Sequence, residues 1–253
     1  MKSKIKAEWM KLKRKKLFLF AVVFFLFQVL WITATTLRML DRHPEEVDTL
    51  LSSCIYNIVI LNALCMPLFV SVIVSRICDM EHKGDTFKTL LVLQQPGSLF
   101  FIKFFYTVLI VLLIALLQGI FLSVFPAALG CEQTLSKSLW LQQFLGTVLI
   151  SSCVGALQLG VSMRYPNQVP ALVLGIFGSF LGMTSQLFPG YISRWILWYY
   201  FSVLSIITPE NVDGRTIAYH LHGLPALTWV IVAGLGILFL VLGLVRFSKK
   251  EVV

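Results

Sequence analysis

Residues 76–98 read RICDMEHKGDTFKTLLVLQQPGS. Six charged side chains and His82 fall between Arg76 and Lys88, whereas the flanking runs 55–75 and 101–125 hold one charge between them, Lys103. A helix crossing a bilayer needs about 20 mostly apolar residues, and both flanking runs meet that length. The stretch therefore reads as a polar hairpin, 76–100, joining two membrane spans. The rest of the chain can be counted outward from it.

Composition agrees with a membrane bundle. The 253 residues are 58% hydrophobic and 13% charged, against about 25% charged in soluble domains, and mean hydropathy is +0.85. Four further apolar runs, 17–35, 141–161, 169–188 and 224–247, bring the expected spans to six. A seventh run, 191–207, is shorter and holds Trp195, Trp198, Tyr199 and Tyr200, with Arg194 near its start. Aromatic side chains of this kind favour the membrane interface, so it reads as a re-entrant or interfacial segment. The expected fold class is all-α, one transmembrane domain over 1–253 with six transmembrane helices. The bundle is flanked by an amphipathic arm at 1–16, a cytoplasmic loop helix within 76–100 and an extracellular re-entrant segment within 189–223.

Charge orients the bundle. With the N-terminus in the cytoplasm, the inner segments hold sixteen Lys and Arg: eight in the arm, four from Arg76 to Lys103, Arg164, and three in the tail. The outer segments hold five: Arg38, Arg42, Lys137, Arg194 and Arg215. This bias predicts that both termini of a multi-pass membrane protein are cytoplasmic. The arm, MKSKIKAEWMKLKRKK, repeats Ile5, Trp9 and Leu12 at i, i+4 and i+7 among lysines, with Glu8 beside them. That is the pattern of a helix lying on an anionic leaflet. Beside an apolar span, so basic a run points to membrane lipid as its partner, not nucleic acid.

Several functions find no residues to perform them. The five cysteines make no CxxC pair and read as apolar filler. His220 and His222, in the outer loop with Glu210 and Asp213, are two ligands short of a metal site. The span interiors hold amides and hydroxyls (Gln28, Asn57, Asn62, Gln118, Gln158 and Gln186 among them) but almost no ionisable group. Ion-driven pumps retain buried charges because they use them, so an autonomous ion-coupled transporter is disfavoured, as is an intramembrane enzyme. No GxxxxGK[ST] occurs. An ATPase, if one drives this chain, is a separate polypeptide. Gly178 and Gly182, with Gly175 one turn earlier, form a GxxxG in the fifth span, suited either to a helix contact within the bundle or to one across a dimer.

The hairpin itself resolves into a short helix. Gly84 ends the helix continuing from the second span, Asp85 can cap a new one, and Phe87, Leu90 and Leu91 share its apolar face. Gln95-Pro96-Gly97 stops it, and Ser98 can cap the next. An apolar-faced helix at that level either lies on the membrane or docks into another protein.

At these residues the chain resembles the type-2 ABC exporter permeases. Glu81, then Gly84-Asp85-Thr86, Lys88, Leu90-Leu91, Pro96-Gly97-Ser98 and Lys103 are similar to that family's cytoplasmic loop, and AEWMKLKRKK is similar to its opening arm. The size and the lack of a fused ATPase resemble the lantibiotic-immunity permeases in particular. Asp85 departs from the family's more usual Gly-Thr. The resemblance implies a coupling helix at Glu81, Gly84, Asp85, Thr86, Phe87, Lys88, Leu90 and Leu91 and an interfacial helix carrying Ile5, Glu8, Trp9 and Leu12. It also implies an extracellular gate at Trp195, Trp198 and Tyr199. The expected partners are an ABC ATPase subunit that holds the ATP and Mg, a second permease subunit (itself or a paralogue) and a peptide antibiotic cargo, with no cofactor on this chain. Competing readings are an exporter for another antibiotic, a lipid or a peptide, and a non-transporting scaffold or sensor.

Overall fold

The computed structural model describes residues 9–10, 12–13, 15–83, 95–211, 217–223 and 226–250. Among the described residues, six helices are long and apolar enough to cross a membrane. They are α1 (Leu17–Arg42), α2 (Leu50–Lys83), α3 (Pro96–Ala128), α4 (Lys137–Arg164), α5 (Val169–Thr184, extended by a 3-10 turn, Ser185–Leu187) and α8 (Ala226–Lys250). The protein is an all-α polytopic membrane protein. Trp9 and Lys15, the end of α2, the ends of α4 and α8 and the start of α5 meet at one end of the bundle, called here the terminal end.

The long helices overrun the apolar runs because polar residues continue them beyond the bilayer core. Their starts are set by local chemistry. Ser136 caps α4, its hydroxyl accepting from the Leu139 N–H at 3.3 Å, which satisfies one of the free donors of the first turn. At α3 the expected Ser98 cap is not used. Gln95 is the N-cap and Pro96 occupies the first turn, where its missing N–H costs nothing. Lys16 has φ 53°. This left-handed residue separates the arm from α1, and Gly130 (φ 88°) turns the chain after α3, as glycine does readily.

Between α5 and α8 no described helix is long enough to cross. The chain makes two short helices, α6 (Gly190–Ser193) and α7 (Tyr200–Val203), with a 3-10 turn at Leu197–Tyr199. It then forms an antiparallel ribbon of β1 (Ile207–Asn211) and β2 (Ile217–Leu221), pairing Ile207 with Leu221 and Asn211 with Ile217. The sequence reading placed these residues in an outer loop without regular structure. The ribbon corrects it.

Three buried amides lock α1, α2 and α3 together. Gln28 Nε2 donates to Asn62 Oδ1 (3.2 Å), Asn62 Nδ2 to Gln118 Oε1 (3.2 Å), and Gln118 Nε2 to both Gln28 Oε1 (2.9 Å) and Asn62 Oδ1 (2.8 Å). Every member both gives and receives, so none is left unmatched in a medium without water. Bonds of this kind between membrane helices average about 0.6 kcal/mol each. The ring specifies which helix faces meet more than it stabilises them.

Candidate functional site

The base of the 76–100 hairpin is tied to two neighbouring helices. Lys103, expected at the membrane edge, is fully buried seven residues into α3. Its ammonium donates to the Ile77 carbonyl at 3.0 Å and stands 3.5 Å from Glu81 Oε1, which is also buried. A buried ion pair is weak evidence for net stability, but removing one partner is strongly destabilising because the other is left charged in a low dielectric. One residue on, the His82 ring meets the Ser162 carbonyl of α4 at 3.0 Å. The end of α2 is thus fastened to α3 and to α4 immediately before the polar loop. Of the expected coupling residues, Glu81 is in this clamp. Gly84, Asp85, Thr86, Phe87, Lys88, Leu90 and Leu91 lie outside the described residues.

The arm is described in part. Leu12 is completely buried in the protein core, and Trp9 sits 5.1 Å from the Phe18 ring and 6.3 Å from Tyr106. Leu12 and Trp9 thus meet the core and the rings at the start of α1 and on α3, while Trp9 keeps 42% of its surface exposed. Ile5 and Glu8 lie outside the described residues.

A second seam runs between α2 and α5. Ser71 Oγ donates to Ala171 O at 2.7 Å. With its amide turned so that donors meet acceptors, Gln158 of α4 donates to the same carbonyl (3.1 Å) and accepts from the Gly175 N–H (3.2 Å). Gly175, Gly178 and Gly182 allow this closeness. A Cβ on Gly175 would strike Ser71, one on Gly178 the Trp198 indole, and one on Gly182 the Ala63 carbonyl. Pro67, inside α2, has no N–H to return to that carbonyl, so α5 descends where the α2 backbone is already opened. The GxxxG thus serves a contact within the bundle.

Trp198 ties this seam to the outer segment. It is buried over Gly178, whereas Trp195 is 90% exposed and Tyr199 is half-buried. The three expected gate residues are therefore not one cluster. The segment is anchored by Gln186 Nε2 to Ser202 Oγ (2.8 Å), Ser193 Oγ to Ser185 O (2.7 Å) and Ile206 N–H to Gln143 Oε1 of α4 (3.4 Å). Tyr200 donates to the Arg194 carbonyl at 3.1 Å, and burial pushes its phenol above the ordinary value. The amide ring, the hairpin clamp and the Trp198 wedge all escaped the sequence reading as pairings. The one available signal was an acid and a base at the facing ends of adjacent spans.

No curated protein and no solved structure matches the chain. The family profile described as "ABC-2 family transporter protein" matches residues 4–182, which take in the arm, the clamped hairpin and the α2–α5 seam. This chain belongs to the ABC-2 transporter family and is a multi-pass membrane permease subunit of an ABC transporter.

Proposed function

We propose that this permease serves an ATP-driven exporter that expels a hydrophobic or amphipathic peptide antibiotic, giving immunity or resistance of the lantibiotic type. The clamp at the hairpin base carries the reading. Glu81, Lys103 and His82 bind α2, α3 and α4 into one body directly before the loop, so a push on the loop reaches three helices. A separate ATPase, with its ATP and Mg, supplies that push through Phe87, Leu90 and Leu91, with Gly84, Asp85, Thr86 and Lys88 shaping the rim. A second permease subunit completes the pathway. The interior polar groups support an apolar cargo. Gln28, Asn62 and Gln118 bond to one another, which leaves that ring with little to offer a polar solute.

The charge bias supports cytoplasmic termini, with the terminal end inward. A cysteine probe at Ser136 is expected to label from outside the cell and one at Ser248 only after permeabilisation. The reverse pattern would invert the assignment.

The outer segment separates two roles. Trp195→Ala, at an exposed site, is expected to leave the fold unchanged and to lower tolerance of a lantibiotic severalfold in cells expressing the full transporter. Trp198→Ala is expected to cost about 3–5 kcal/mol, as large aromatic truncations in packed sites do, and to reduce the amount of folded protein. Unchanged tolerance in Trp195→Ala at matched membrane levels would remove the gate from the account. No difference in tolerance between cells with and without the transporter would remove the cargo class.

A further inference from the structure

Gln158 of α4 is fully buried, and its side chain spans one rung of another helix. The Ala171 carbonyl and the Gly175 N–H belong to residues four apart in α5, so they are the acceptor and the donor of a single helical step. Gln158 Nε2 donates to that carbonyl at 3.1 Å, and Gln158 Oε1 accepts from that N–H at 3.2 Å. Ser71 of α2 donates to the same carbonyl at 2.7 Å. α2 comes this close because Gly175 has no Cβ, which would strike Ser71. One amide thus offers a partner to both ends of the rung. The step lies in the first two turns of α5, beside Pro170 and the α4–α5 turn at the terminal end. Further along α5, Gly178 and Gly182 continue the seam. Two buried polar groups there, Ser179 Oγ and Trp198 Nε1, have no hydrogen-bond partner among the described residues.

We propose that Gln158 is the positioning residue of a pivot in α5: the helix bends at the Ala171–Gly175 step during the transport cycle, and the Gln158 amide holds the two backbone groups that the bend releases. In a bilayer an opened rung leaves an N–H and a C=O with no water to meet them, so a helix opens where a neighbouring side chain satisfies them again. A carboxamide presents a donor and an acceptor side by side, which is what a rung requires. Glycine at the step lowers the cost of leaving helical geometry. Beyond the pivot α5 moves with the outer segment, because Trp198 is seated on Gly178, Gln186 bonds Ser202 and Ser193 bonds Ser185. Lifting this body from α2 opens the seam to water and gives Ser179 and Trp198 the partners they lack while it is closed. The drive comes through α4. Ser162, whose carbonyl meets His82 at the hairpin base, stands one turn along α4 from Gln158. The pivot rests on the chain's being driven by an ATPase, and not on the class of cargo.

The test measures distances across the pivot in the permease–ATPase complex in nanodiscs, between spin labels at Met183, near the far end of α5, and at Leu145 of α4, both exposed. Labels carried on a ketone-bearing unnatural residue spare the native cysteines. A reference pair, Leu145 and the exposed Leu238 of α8, crosses no pivot. A non-hydrolysable ATP analogue is expected to move the Met183–Leu145 distance by several ångström in wild type and to leave the reference pair unchanged. Q158L should abolish that shift. S71A, which removes the other side-chain bond to the Ala171 carbonyl but leaves the amide in place, should keep it. Q158M carries the same expectation as Q158L and replaces it where that variant folds poorly. Any of four results would overturn the pivot: a fixed Met183–Leu145 distance in wild type with the ATPase bound, a full shift in Q158L or Q158M, an equal loss in S71A, or a matching shift in the reference pair. Co-recovery of the ATPase is scored in every sample, so failure of the coupling reading shows as a lost partner, and failure of the pivot as an unaltered distance with the partner present.

Discussion

Lys103→Met is expected to destabilise the protein by about 3–5 kcal/mol, the usual result of removing one partner from a buried ion pair. Lys103 and Glu81 are both effectively inaccessible, so the substitution takes the buried ammonium away from the Glu81 carboxylate in a low dielectric, and the Ile77 carbonyl loses its ammonium donor at the same time. The double variant Glu81→Met/Lys103→Met is expected to recover most of the loss, because well-packed apolar pairs replace buried ion pairs at little net cost. Thermal unfolding of the purified chain, followed by size-exclusion recovery, would show both effects. A single variant as stable as wild type would mean that the pair does not clamp α2 to α3. That result would remove the means by which a push on the hairpin reaches the bundle.

Gly182→Leu should have an effect of similar size by a different route. The new Cβ would fall on the Ala63 carbonyl, and a backbone atom has no rotamer by which to give way. α5 must then lift from α2, which also opens the Ser71–Ala171 hydrogen bond and the seat of Trp198 on Gly178. Overpacking a filled interior commonly costs about 1–3 kcal/mol and occasionally more. Three contacts separating together place this case at the upper end. Gly234, with open space around it, is the control: Gly234→Leu should be neutral, or stabilising by up to about 1 kcal/mol from helix propensity. Equal melting shifts in the two variants would contradict the seam.

How much of this was legible in the sequence follows from the kind of information each feature needs. The six spans could be read because apolar length alone defines them. Their ends could not, since nothing in hydropathy says where a helix stops once it leaves the bilayer core: α2 runs from Leu50 to Lys83, well past the apolar run 55–75. Gln28, Asn62 and Gln118 were each visible as polar residues in greasy surroundings, but they lie on three different helices, and which amides meet is decided by packing. Lys103 was visible as the one charge in its span. Its burial depends on Glu81 arriving from the neighbouring helix, a contact 22 residues away along the chain. The ribbon was missed although Asp213-Gly214, a strong hairpin signal, stands in sequence between ITPEN and IAYHL. Pro209, inside the first strand, weakens that signal because proline is disfavoured within strands. Trp195 and Trp198 look alike in sequence, and only the glycine beneath Trp198 separates the buried one from the exposed one.

The central claim is that a separate ATPase drives this permease through the hairpin above the Glu81–Lys103 clamp. Co-purification of the cognate ATPase with wild-type and Phe87→Asp protein, at matched membrane levels, tests it most directly. On the proposed coupling role of Phe87, a charge in its place should weaken binding by at least the roughly tenfold to hundredfold that loss of an apolar anchor brings, while leaving insertion unchanged, because no span is touched. The account predicts that the ATPase is recovered with wild type and largely lost with Phe87→Asp. Equal recovery with both would contradict it.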